Sequence, residues 1–246
     1  MSTTFGDKHS LASVSSQNSK ADLGAHNDGV THSEQGNQEP RPVVTVFGAG
    51  RVGTALARAL IAAGYEVRVV GSGSVQGIEL IVNVMAPGAI PMDAAQALDG
   101  AHIVILAVPL HKFVSIDPGP LAGKVVVDVM NYWEPIDGSL PDFSADTPSS
   151  RVIASRFADA KVVKALNHIG YHDIEGDRSD AGSTARRALA VAGDDRGAVD
   201  LVLEMVHRIG FDAVDAGGLD DSDLLEAGGP IFGVRLNQHD LTHLLR

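Results

Sequence analysis

Val43-Val44-Thr45-Val46-Phe47-Gly48-Ala49-Gly50-Arg51-Val52-Gly53-Thr54-Ala55-Leu56 decides the fold of this chain. Its first five residues are apolar or β-branched without alternation, as in a strand buried on both faces. A glycine-rich turn follows. Thr54 to Ala63, rich in Ala and Leu, then reads as a helix that Gly64 ends. Gly48, Gly50 and Gly53 form a G-x-G-x-x-G set between a strand and a helix, the context in which that spacing has meaning. The first glycine permits a tight turn and the second a close backbone approach to a pyrophosphate. The third lets helix pack on strand. A helix N-terminus beyond the turn offers N–H groups and partial positive charge to phosphates.

Outward from this motif, strands and helices alternate. Glu66–Val70, Ile103–Val108, Lys124–Val129 and Lys161–Leu166 read as strands, and Ala89-Ile90 as a short one. Val75–Met85 reads as a helix with Ile78, Leu80, Ile81 and Val84 as its apolar set, and Asp93–Leu98 as a short helix. Further on, Leu189–Ala192 and Phe211–Val214 read as strands around a helix at Arg196–Ile209, and a last helix ends the chain. Repeated βαβ units imply right-handed crossovers and a parallel sheet. The expected class is α/β, a Rossmann-type doubly wound parallel sheet with a smaller C-terminal α/β extension. The expected division is a disordered tail over 1–41, a nucleotide-binding domain over 42–169 and the extension over 170–246. The tail is polar, without apolar recurrence or the continuous apolar stretch of a secretory signal.

The chain has 246 residues and a net charge of −12. Such acidity argues against nucleic acid or anionic lipid as a partner. With no cysteine, disulfides and thiolate chemistry are excluded, and a reducing, cytoplasmic setting fits. No run approaches the roughly 18 apolar residues of a membrane span. No metal is expected. Asp194-Asp195 and Asp220-Asp221 sit in glycine-flanked turns and read as helix caps and solvated surface. His239 and His243 share a helix face, but Asp240 stands where a zinc protease carries Glu. Leu236, Leu241, Leu244 and Leu245 give the last helix an apolar set that packs on something, a second subunit being one option.

An NAD site wants an acid at the end of the second strand. Here the strand runs into Gly71-Ser72-Gly73-Ser74, and Glu66 lies at its wrong end. Ser72 and Ser74 can donate to a 2′-phosphate, with Arg51 in the adjoining loop, which favours NADP. Alternatively the serines only form the turn. The other candidates end later strands, where open α/β sheets bind ligands. Ala107, Val108, Pro109 and Leu110 would run beside the nicotinamide ribose. Asn131 either bonds cofactor or substrate or satisfies its turn. Asn167 and His168 end the next strand, and His168 is either a functional donor or a hydrogen-bonded structural histidine. Tyr132 and Trp133 either stack on a flat ring or serve core and dimer contacts.

Together the Val43–Gly53 turn, Val69-Val70-Gly71-Ser72, Ile105-Leu106-Ala107-Val108-Pro109-Leu110 and Asp128-Val129-Met130-Asn131-Tyr132-Trp133 resemble the coenzyme F420-dependent NADP oxidoreductase family. Lys164-Ala165-Leu166-Asn167-His168 and Val214-Asp215-Ala216-Gly217 extend the resemblance to NADPH-dependent F420 reductase-like NAD(P)-binding proteins. It spans about Val43 to Gly233. It implies hydride transfer between NADP(H) and coenzyme F420 or a related flavin-type acceptor, a homodimer, and no obligatory general acid. The chain departs from the family at Gly73, where the F420 reductases carry an Arg for the 2′-phosphate. Two other classes share the same nucleotide site: an NAD(P)H-dependent reductase of a small carbonyl or imine, and a non-catalytic NAD(P)-binding redox sensor.

Overall fold

A computed structural model describes residues 42–143, 147–184 and 186–246. The expected tail, 1–41, lies outside the described residues. In chain order the strands and helices are β1 (Val43–Phe47), α1 (Arg51–Ala62), β2 (Glu66–Val70), α2 (Val75–Met85), β3 (Ile90–Pro91), α3 (Ala94–Leu98) and β4 (Ile103–Leu106). They continue as β5 (Val125–Asp128), α4 (Glu134–Asp137), α5 (Ser149–Arg156), β6 (Lys161–Ala165), β7 (Ala188–Gly193), α6 (Arg196–Arg208), β8 (Asp212–Asp215) and α7 (Gln238–Leu244). Two 3₁₀ turns, Leu110–Ser115 and Gly119–Leu121, link β4 to β5.

The strands form one eight-stranded sheet in the order β3-β2-β1-β4-β5-β6-β7-β8. Phe47 pairs with Val70 on one side and Leu106 on the other, so β1, β2 and β4 end level. The chain leaves β1 between neighbours reached in opposite directions, which opens a crevice at their carboxyl ends. The sheet buries both faces, as the unalternating strands predict. In β4, Ile103 and Ile105 pack with Leu56 and Leu60 of α1, while Val104 and Leu106 pack with Ile153, Phe157 and Phe113 on the other face. Ala188, Ala190 and Ala192 meet Leu241 of α7.

Four expectations need correcting. The sheet is not wholly parallel: β7 runs antiparallel to β6, because no helical crossover separates them. α2 buries Ile78 and Val82, whereas Leu80, Ile81 and Val84 stand exposed, Leu80 at 75%. Seven of its eleven residues are Val, Ile, Leu or Met and spread over more than one face, so the periodicity could not say which face turned inward. α1 begins at Arg51, three residues early, which puts Gly53 inside the helix. β4 ends at Leu106, so Ala107 and Val108 belong to the loop. The short helices α4 and α5 carry no pattern that reveals them.

Candidate functional site

The glycine loop is built as its three positions require. Gly48 takes φ +124°, and a Cβ there would meet the Ala107 carbonyl oxygen at 2.2 Å. Its N–H donates to the Val70 carbonyl at 2.7 Å, which ties the turn to β2. A Cβ on Gly53 would stand 1.9 Å from the Gly48 oxygen. At Gly50, by contrast, nothing lies within 4 Å, so the loop is open where a ligand would approach. Gly50 is the N-cap of α1. That helix has no side-chain cap and no acid in its first turn, leaving its N–H groups for an anion.

A cleft of about 560 Å³ opens over this loop. Gly48, Ala49 and Gly50 line it from β1, Ser72 from the end of β2, and Ala107, Val108 and Pro109 from beyond β4. Its size suits a cofactor rather than a small ion. The open loop, the uncapped helix and the absent Cβ atoms fit a dinucleotide pyrophosphate.

The remaining candidates are placed elsewhere. Val52 packs against the core as a partly buried residue. Leu110 is buried in the core beside Phe113. Ser74 caps α2, its hydroxyl accepting from Gly77 N at 3.3 Å, while Gly73 takes φ +98°. Arg51 turns to Tyr171, 3.5 Å from its hydroxyl and 5.9 Å above its ring. Lys112 lines the cleft with Ser115, Ile116 and Asp117. Sequence reading missed them because a 3₁₀ link has no apolar period, and the one signal was nearness to Pro109.

At the ends of β5 and β6, Asn131 and Asn167 bond each other twice. Asn131 Nδ2 donates to the Asn167 carbonyl at 2.9 Å, and Asn167 Nδ2 donates to Asn131 Oδ1 at 3.0 Å. Asn167 Nδ2 also donates to the Leu225 carbonyl at 2.7 Å. His168 is buried, and its Nε2 accepts from Ala190 N at 3.1 Å. The ring proton therefore sits on Nδ1, which donates to Asn167 Oδ1 at 3.2 Å. Burial, then the charges of Arg187 and Lys164, push this imidazole down to about 3. It is neutral near pH 7, with both nitrogens in use. The preceding Leu166 has φ +62°, strain that the pairing on either side holds in place.

Beneath this pair lies a buried ion pair. Lys164 Nζ donates to Asp128 Oδ2 at 3.1 Å and to the Met130 carbonyl at 2.6 Å. Asp128 Oδ2 also accepts from Ser150 at 2.6 Å. The network fixes the backbone that carries Asn131. Tyr132 packs on Phe143 with ring centroids 5.2 Å apart, and Trp133 is 53% exposed. Asp195 caps α6 through Ala198 N, and Asp194 and Asp220 pair with Arg151. Among the described residues no group of three His, Asp or Glu could hold a metal, and no helix is long and apolar enough to cross a membrane.

Comparison with known proteins bears on the fold and on the segment that carries the glycine loop. Residues 43–132 match the family model described as NADP oxidoreductase, coenzyme F420-dependent. A hypothetical protein of Sinorhizobium meliloti shares the fold with TM-score 0.68 and 25% identity, over 81% of this chain and 96% of its own. A candidate F420-dependent NADP reductase of Arthrobacter sp. FB24 aligns with TM-score 0.59 and 24% identity, over 74% of this chain and 89% of its own. An imine reductase of a Pseudomonas species aligns with TM-score 0.52 and 20% identity, over 73% of this chain and 56% of its own. No curated protein matches. The scaffold is a Rossmann-type α/β fold, and over residues 43–132 the chain is similar to a class of NADP-dependent oxidoreductases. Within that class, the resemblance read from the sequence to the F420-dependent NADP oxidoreductases holds over residues 43–132.

Proposed function

We propose that this chain transfers a hydride between NADP(H) and a deazaflavin, coenzyme F420, or a related flavin-type acceptor. The observation that carries this reading is the open glycine-loop cleft inside the segment that matches the F420-dependent family. When bound, the nicotinamide and deazaflavin supply the redox chemistry, and the protein holds them in register. Gly48 and Gly50 give the pyrophosphate its approach, and the N-terminus of α1 faces its charge. Ala107, Val108 and Pro109 form an apolar wall beside the nicotinamide ribose. Asn131, the half-buried member of the asparagine pair, offers its remaining amide hydrogen to the nicotinamide or acceptor. Asn167 and His168 act as positioning residues behind it. Residues 42–169 bind the nucleotide, and residues 170–246 brace it through Leu225 and Ala190.

The carbonyl or imine alternative asks for a proton donor beside the acceptor. His168 is held neutral with both nitrogens used, and Tyr132 OH donates to the Gly138 carbonyl at 3.2 Å. Direct hydride transfer needs neither, which favours the flavin-type acceptor. A cytoplasmic homodimer completes the proposal. Leu80, Ile81, Val84 and Met85 of α2 give it an exposed apolar face.

The test mixes the purified chain, NADPH and oxidised F420 while the visible absorbance of F420 is followed. Bleaching that depends on the protein and repeats over many turnovers is expected. Turnover of a cyclic imine but not F420 would overturn the acceptor assignment. Nucleotide binding without any turnover would move the chain to the sensor class.

A further inference from the structure

The second strand ends without the usual devices for reading the adenosine ribose. No acid stands there to bond a 2′-hydroxyl. Gly73 occupies a left-handed conformation at φ +98°, where a side chain would be strained although a Cβ meets nothing within 4 Å. The shortage is of backbone freedom, not of room. Arg51 is engaged with Tyr171 and does not line the cleft. Arg68, on the same strand, is bonded to Glu66 at 2.8 Å.

A cation does line the cleft, from the opposite wall. Lys112 lies in the 3₁₀ turn after β4, and Ser72 lies at the end of β2. β2 and β4 flank β1, so these two residues stand on either side of the glycine loop. The loop backbone is fixed there: Lys112 N–H donates to the Pro109 carbonyl at 2.8 Å, and Ser115 donates to the Lys112 carbonyl at 2.7 Å. The Lys112 ammonium has no hydrogen bond or ion pair with any described residue. It is the one cation among the described residues of the cleft wall. Asp117 is the one acid there, and its carboxylate accepts from Gly119 N at 3.1 Å.

We propose that Lys112, with the Ser72 hydroxyl, holds the 2′-phosphate of NADP(H) and sets the preference for it over NAD(H). The inference rests on the cleft being the nucleotide site. A flexible lysine suits the task as a point charge that reaches across the mouth from a rigid turn. Lys112 is exposed, so its replacement does not threaten the fold.

The test measures dissociation constants by fluorescence and calorimetry for wild type, Lys112→Ala and Lys112→Gln. The probes are NADPH, NADH, adenosine 2′,5′-bisphosphate and ADP. Both variants are expected to bind NADPH and the 2′,5′-bisphosphate about tenfold more weakly, with NADH and ADP unchanged. Equal losses for phosphorylated and unphosphorylated ligands, or no loss, would overturn the role of Lys112 and leave the cleft assignment standing. A wild type that prefers NADH would also overturn it. If the folded wild type binds none of the four, the cleft assignment fails and this inference fails with it.

Discussion

The space that a Cβ on Gly53 would need is filled by the carbonyl oxygen of Gly48, 1.9 Å away. The helix and the turn before it therefore close on each other through bare backbone. Two bonded backbones cannot shift as a flexible side chain can. Gly53→Ala should destabilise the fold by about 3 kcal/mol, as overpacking of a tight core does. Gly50→Ala should change stability by less than about 1 kcal/mol, since its backbone is extended and its Cβ space empty. The same variant should weaken nucleotide binding, because its methyl group stands where the pyrophosphate approaches. Denaturant unfolding and NADPH titration of both variants check the pair.

Asn167 serves three partners at once: Asn131, Leu225 and His168. Asn167→Ala would orphan a buried carbonyl and a ring N–H together. Each such group costs about 1–3 kcal/mol. A loss of about 3 kcal/mol is expected, read by urea unfolding. A loss below 1 kcal/mol would mean that the asparagine pair does not hold the two strand ends together.

The Lys164–Asp128 pair is buried on both sides. Lys164→Met should cost about 3–5 kcal/mol, because it strands the Asp128 carboxylate. Adding Asp128→Asn removes the stranded charge and should recover part of the loss. Chemical denaturation of the single and double variants decides the point. Equal stability of both would show that the charge is not what matters.

His168 makes a pH prediction with a definite sign. Its folded value, about 3, lies below the ordinary histidine value of 6.5. Between these values the unfolded chain binds the extra proton and the folded chain does not. Stability is thus unaffected by this group above pH 6.5 and falls as pH drops from 6.5 toward 3. The limiting slope for one proton is about 1.4 kcal/mol per pH unit. Unfolding free energies at pH 6.5 and 4.5 should fall more steeply for wild type than for His168→Gln. Parallel profiles would mean that the ring titrates normally in the fold.

Much of this was legible in the sequence where backbone and burial decide structure. The β1 turn and α1 followed from three glycines and an unalternating apolar run, and the strand series from β-branched clusters. The sense of β7 was not legible, because strand direction depends on the long connection before it rather than on Leu189–Ala192. The face of α2 was hidden by an excess of apolar residues. In the site, the glycine loop could be read because each glycine answers a steric demand. Lys112 could not, since only the folded 3₁₀ link carries it to the wall of the cleft that Ser72 also lines. His168 was open to two readings until its neighbours showed both nitrogens engaged. Ser74 likewise is a cap, which a serine before an apolar helix could equally have suggested.

The most direct measurement is a titration of the folded chain with NADPH, followed by the fluorescence of the nicotinamide and repeated on Gly50→Val. The account predicts saturable binding to the wild type and at least a tenfold loss in the variant, with the fold of both intact by circular dichroism. Wild-type protein that is folded yet binds no NADPH, or a variant that binds as well as wild type, would contradict it.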